Sequence, residues 1–367
     1  MSKNKFKIKK QINILYITSA LGNFSITGAW VAILAARGFS LVEIGLAETI
    51  FHITSLIFEI PSGMLADLFG RKKMLILSQI MGMIGCLIMA ATDGFFGVCF
   101  SFVFQALSYN CASGTGDALA YDSLKLVSEE DRYEKYAANE LMIYRIGEGV
   151  STLLCGVALA MGYKPAYYIS AAWHVIIMLV TLLLTEVTIE KPEYSGENVF
   201  VAIYRHFKSC IKFLIDNKKA TGLMFANSLI GAVDILLLFF LQSKLSDAGM
   251  PDLWLGVALL IMELGGVGGT RIITRVKSVG YWLIFTISAI GVITGVLLEH
   301  TSVIWIMTLG GFVAAACDDM IQTRTDARLQ DMFSSDKRAT LISISSFTFS
   351  VIMIMLSPLA GYFFEKW

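Results

Sequence analysis

Residues 58–73 read FEIPSGMLADLFGRKK, and the fold follows from how this stretch is read. It joins the end of one long apolar run to the start of the next through a turn that holds Asp67, Arg71, Lys72 and Lys73 with Gly63 and Gly70. The runs on both sides reach the roughly 20 residues needed to cross a bilayer, so a short charged turn between them reads as a helical hairpin in a membrane. The glycines let two helix backbones close on each other, Asp67 stands where a helix ends, and the basic triplet marks the turn as cytoplasmic.

The rest of the chain agrees with this reading. Of its 367 residues 56% are hydrophobic and only 16% are charged, whereas a soluble domain carries about 25% charge. That excludes a soluble enzyme, and a net charge of zero gives no reason to expect a nucleic-acid or acidic partner. The six cysteines are scattered without C-x-x-C spacing and read as small buried hydrophobes, so no metal and no cofactor is expected. The lysines at positions 3, 5, 7, 9 and 10 precede a run long enough to span, which reads as a first helix with its N-terminus inside rather than a cleaved leader.

Apolar runs predict eleven spans, centred near Thr27, Ser55, Gly82, Leu107, Val150, Ile176, Leu229, Met262, Ile290, Ala314 and Ile352. Of the 29 lysines and arginines, 24 then fall in segments predicted to be inside and four outside, the asymmetry that orients polytopic proteins. A polar interval from Glu186 to Lys219 separates six spans from five. Its stretch YRHFKSCIKFLIDNKK alternates apolar and cationic residues and reads as an amphipathic helix on the inner membrane surface. The expected organisation is a six-helix bundle over 1–186, a linker over 187–218 and a bundle of five over 219–367. Asp122, Arg132, Ala137 and Gly156 can be laid against Asp326, Lys337, Ala339 and Gly361 at a nearly constant offset.

Within residues 58–73, the pattern G-x-x-x-D-x-x-G-R-K-K, formed by Gly63, Asp67, Gly70, Arg71, Lys72 and Lys73, resembles the loop between helices two and three of the major facilitator superfamily. The resemblance implies an all-α membrane protein of two pseudo-symmetric bundles, here with eleven transmembrane helices and the twelfth apparently absent. It also implies that Asp67 and Arg71 form a gate latch, with Asp122 as the partner of Arg71. In that family spans one, four, seven and ten line the cavity, which nominates Asn23, Thr27, Tyr109, Asn110, Asn227 and Asp318 as substrate contacts. The G-P-x-x-G-G run of proton-coupled drug antiporters is not matched, because GEGVSTLLCG at that place has no proline.

Ionisable groups inside spans are expensive and therefore informative. Helices joined by a turn place residues equally far from it at similar depth. Asp117 stands 14 residues before Asp131 and Arg145 stands 14 after it, which predicts a buried ion pair, with Glu148 as a competitor on the same face as Arg145. Asp234 and Glu263 flank the turn at Ala248–Gly249 by 14 to 15 residues, which predicts two repelling carboxylates that share a proton. Asp318 and Asp319 point about 100° apart, so only one can face a given cavity directly.

The functional expectation is a secondary active transporter that moves a small amphipathic or cationic solute by alternating access, with proton-coupled efflux. Few inward arginines speak against phosphate esters and dicarboxylates. The competing readings are an uptake permease for a small metabolite, and a lipid flippase or non-transporting sensor on the same scaffold. No G-x-x-x-x-G-K-[ST], H-E-x-x-H or G-x-S-x-G occurs, so an enzyme is not expected. Expected partners are the solute, membrane lipids and protons, with no nucleic acid, for a monomer in the cell membrane.

Overall fold

The structure, a computed structural model, describes residues 2–187, 199–276, 279–332 and 338–366, and every regular element among them is helical. The helices are α1 (Ser2–Gly22), α2 (Trp30–Ala36), α3 (Leu41–Phe69), α4 (Arg71–Ala91), α5 (Phe95–Ala112), α6 (Thr115–Lys125) and α7 (Tyr133–Met161). They continue as α8 (Tyr163–Thr181), α9 (Val199–Asp216), α10 (Lys218–Asp247), α11 (Asp252–Arg275), α12 (Tyr281–Leu298), α13 (Ile304–Met332) and α14 (Arg338–Lys366). Nine helices among the described residues are long and apolar enough to cross a membrane. The expected first span is divided between α1 and α2, and the expected sixth is α8; the set is consistent with eleven spans.

Local chemistry explains the boundaries. Ser40 and Glu43 form a capping box that starts α3: the Glu43 carboxylate accepts the Ser40 N–H at 2.9 Å, and the Ser40 hydroxyl accepts the Glu43 N–H at 3.2 Å. The first span breaks around Thr27 because hydroxyls take over its backbone groups. Ser25 N–H donates to the Ser151 hydroxyl at 2.8 Å, and that hydroxyl donates to the Asn23 carbonyl at 3.0 Å. Such side-chain substitution makes a non-helical turn tolerable at membrane depth. The fourth span is likewise interrupted, at Gly114, whose φ of +66° lies in the left-handed region.

Contacts divide the chain into two units. Unit 1 comprises Met1–Gly28, Ile53–Ser151 and Met161–His206. In it α4 packs on α5, α6 and α8, and α1 packs on α6 and α8. Ile14, Leu15, Leu119, Ala120, Tyr136 and Leu184 form one of its buried clusters. Unit 2 comprises Ala29–His52, Thr152–Ala160 and Phe207–Trp367. Here α13 lies against α10, α11 and α12, while α10 also meets α2 and α14. The α11–α13 contact is backbone-close: a methyl added at Gly265 or Gly269 would sit 2.1 Å from the Phe312 carbonyl oxygen or 2.0 Å from that of Ala316. Small residues at such crossings are how apolar helices associate in lipid. On α12 the side chains of Trp282, Leu283, Ile290, Ile293 and Leu297 are exposed, an apolar outer face suited to a multi-pass membrane protein.

Candidate functional site

The turn after α3 is built as an anion-capped helix start. Gly70 precedes α4 with φ +100° and ψ 148°, a conformation that only glycine adopts readily. Glu186, which follows α8, folds back onto it. Its carboxylate accepts the N–H groups of Arg71 and Lys72 at 2.9 Å each, satisfying two of the donors that a helix N-terminus leaves open. A methyl at Gly70 would stand 2.5 Å from that carboxylate. The Lys72 ammonium donates to the Leu182 carbonyl at 2.8 Å. Sequence reasoning missed Glu186, because one acid beyond an apolar run carries no mark of where the chain will fold back.

The Arg71 guanidinium donates to the Asp122 carboxylate on α6 and, at 2.5 Å, to the Ala118 carbonyl. Both side chains of this pair are mostly buried. The predicted partnership is thus present inside unit 1. The Asp67 side chain lies outside the described residues. Gly63 plays no part in close packing: a methyl there meets nothing within 4 Å among the described atoms, so the steric reason anticipated for it does not hold in this structure.

Asp117 and Arg145 are not brought together. Arg145 lies 3.7 Å from Glu148, one turn along its own helix, and its side chain is 60% exposed. Glu148 also accepts the Tyr144 hydroxyl at 3.0 Å. Asp117 instead acts electrostatically on Tyr136 and Glu140 of α7. The intrahelical competitor, Glu148, takes the guanidinium instead.

In unit 2 the carboxylates are also partnered differently from the depth argument. Glu263 on α11 accepts the Thr152 hydroxyl of α7 at 2.7 Å. The acids acting on Asp234 are Asp318 and Asp319 of α13, and Asp234 in turn acts on Glu299. The Asp318 carboxylate reaches α10 at Gly231, three residues before Asp234, where a methyl would lie 3.3 Å from it. Asp319 turns to α11, accepting the Thr270 hydroxyl at 3.4 Å. The two neighbours therefore diverge as helix geometry requires.

The remaining predicted contacts have these environments. Asn110 is buried and fully engaged with α3, donating to the Ser55 carbonyl at 2.6 Å and accepting the Ser55 hydroxyl at 2.7 Å. Asn23 donates to the Ser19 hydroxyl at 3.1 Å, and Thr27 lies 3.4 Å from the Ser170 hydroxyl. Tyr109 is 58% exposed. The Asn227 carbonyl oxygen on α10 is buried without a hydrogen-bond partner among the described residues. No group of three or more His, Cys, Asp or Glu among the described residues is arranged to hold a metal.

Comparison with known proteins places this geometry. The profile of the Major Facilitator Superfamily matches residues 12–358. An uncharacterized transporter of Buchnera aphidicola subsp. Schizaphis graminum is 29% identical over 215 residues, 55% of this chain and 49% of that protein, so the chain spans about half the length of this relative. The uncharacterized MFS-type transporter YxaM of Bacillus subtilis is 20% identical over 346 residues, covering 91% and 84% of the two chains. The crystal structure of a mutant nucleoside transporter NupG superposes with a TM-score of 0.77 at 17% identity, covering 96% of this chain and 91% of that one.

Proposed function

Because the chain belongs to the Major Facilitator Superfamily, whose members are carriers of small solutes and not enzymes, we propose that it is a secondary active transporter of a small amphipathic or cationic solute, driven out of the cell by proton exchange. The observation that carries this reading is that the Asp318 carboxylate of α13 reaches α10 at Gly231, three residues before Asp234. Carboxylates placed this close repel, and a single proton between them relieves the repulsion. Either a proton or an organic cation can therefore offset one of the pair's two charges, and competition between the two couples their movements in opposite directions. Arg145, the basic residue expected at mid-span, lies 3.7 Å from Glu148, whose charge offsets what it would offer an anionic substrate.

Alternating access then requires a charge pair that differs between states. Arg71 and Asp122 are proposed for that role, with Glu186 fixing the turn that carries Arg71. The test is flux of tetraphenylphosphonium in proteoliposomes under an imposed pH gradient. Asp234→Asn and Asp318→Asn should each abolish gradient-driven flux while retaining solute counterflow. Undiminished gradient-driven flux in both variants would remove the pair from the mechanism. Uptake instead of extrusion would assign the opposite direction.

A further inference from the structure

Glu299 directly follows α12 and is only 5% exposed. Neither of its carboxylate oxygens has a hydrogen-bond partner among the described residues. A buried carboxylate without a donor is poorly tolerated as an anion, since nothing replaces the water it has lost. An acid kept in such a place points to a cation that visits it.

The charged groups around it define a path. From α10, Asp234 repels its charge and Lys244 attracts it, although Lys244 makes no hydrogen bond to it. Asp234 and Lys244 are ten residues apart on one helix, or about 15 Å along its axis, and Glu299 feels both. From α13, Asp318 and Asp319 act on Asp234. His300 is exposed, with its ring Nδ1 against the Val296 carbonyl at 3.0 Å. Glu299 at the end of α12 thus feels Asp234 of α10, and Asp234 in turn feels Asp318 and Asp319 of α13.

We propose that Glu299 is a second proton-binding site of unit 2, which takes a proton at the end of α12 and passes it to the Asp234–Asp318 pair. Its destination rests on the coupling role assigned above to that pair; its own protonation does not. One O–H bond forms on a Glu299 oxygen. On transfer that bond breaks and one forms on Asp234; because the two carboxylates share no hydrogen bond, a water molecule entering between them carries the proton across, and Lys244 offsets the anion left behind. Consistent with this, burial first and Asp234 second push the Glu299 carboxyl above the ordinary carboxyl range, while Lys244 pulls it back.

Infrared titration of the purified full chain, following the carboxylic-acid C=O stretch from about pH 4 to about pH 9, tests the site without transport. A band present in the wild type should be missing from Glu299→Gln. Lys244→Gln should move its midpoint to higher pH, and Asp234→Asn to lower pH, each by about half a unit or more. These two variants leave Glu299 in place, so the opposed shifts decide the matter even where Glu299→Gln folds poorly. A Glu299→Gln spectrum that keeps every carboxylic-acid component of the wild type, or midpoints of the Glu299 component that do not move in opposite directions, overturns the proposal. In proteoliposomes Glu299→Gln should lose most pH-driven flux and keep counterflow; loss of both would assign Glu299 a structural role. A wild type without pH-driven flux would refute the transport reading alone, leaving the infrared result to stand or fall separately.

Discussion

Replacing Gly70 by alanine should destabilise the protein by about 2–4 kcal/mol, through two separable effects. The backbone at φ +100° and ψ 148° falls in a region that costs a residue with a side chain about 1–3 kcal/mol. The new methyl would also meet the Glu186 carboxylate at 2.5 Å. Displacing that carboxylate removes the acceptor for the Arg71 and Lys72 N–H groups, and loss of a helix cap costs about 1 kcal/mol. Glu186 is exposed, so its charge is screened and the cap lies at the ordinary end of the range. Glu186→Ala alone should therefore cost about 1 kcal/mol, and Gly70→Ala in that background only its backbone part. The assay is a double-mutant cycle of unfolding free energies from SDS titration in mixed micelles. Additive costs, or a Gly70→Ala variant within about 0.5 kcal/mol of wild type, would refute the capping argument.

Three further outcomes follow from the same geometry. Arg71→Ala should cost about 2–3 kcal/mol by leaving the mostly buried Asp122 uncompensated, whereas Asp122→Ala should cost about 1–2 kcal/mol because Arg71 keeps the Ala118 carbonyl; SDS titration ranks the two. Gly269→Ala should destabilise by about 2 kcal/mol or more, since its methyl would stand 2.0 Å from the Ala316 carbonyl oxygen and force α11 from α13; equal thermal midpoints in detergent would count against that close crossing. For Glu299 the direction of pH dependence is fixed. A carboxyl whose folded value is raised binds more protons folded than unfolded, so stability falls as pH rises from its ordinary value of 4.5 towards the folded one. Glu299→Gln removes this loss, and its midpoint should gain on wild type between pH 5 and pH 8; a constant difference across that range would contradict the burial of Glu299 as an acid.

The sequence disclosed depth better than direction. The spans were legible because apolar run length is a direct consequence of bilayer thickness, and the turn between α3 and α4 because its charges have no other place to go. The break of the first span at Thr27 was not, since Ser151, the hydroxyl that makes it tolerable, comes from a helix more than a hundred residues away. Hairpin counting placed Asp117 level with Arg145 and Asp234 level with Glu263, but depth says nothing of the angle at which a side chain leaves its helix. Arg145 found Glu148, and Asp234 found Asp318 across α10 and α13. Asn110 illustrates the other ambiguity: an amide in a span serves a solute or a neighbouring helix equally well in sequence, and only the two bonds to Ser55 show that it is occupied. Glu186 and Glu299 both follow apolar helices, where one acid looks like an ordinary loop residue. What distinguishes them is the chain returning over Glu186 and closing around Glu299, which are tertiary events.

The decisive measurement is simultaneous recording of tetraphenylphosphonium and proton movement in proteoliposomes containing the wild-type chain, before and after an ionophore collapses the pH gradient. Solute should move against protons and stop when the gradient is gone. Solute movement that is indifferent to that collapse, or unaccompanied by protons, would contradict proton-coupled transport.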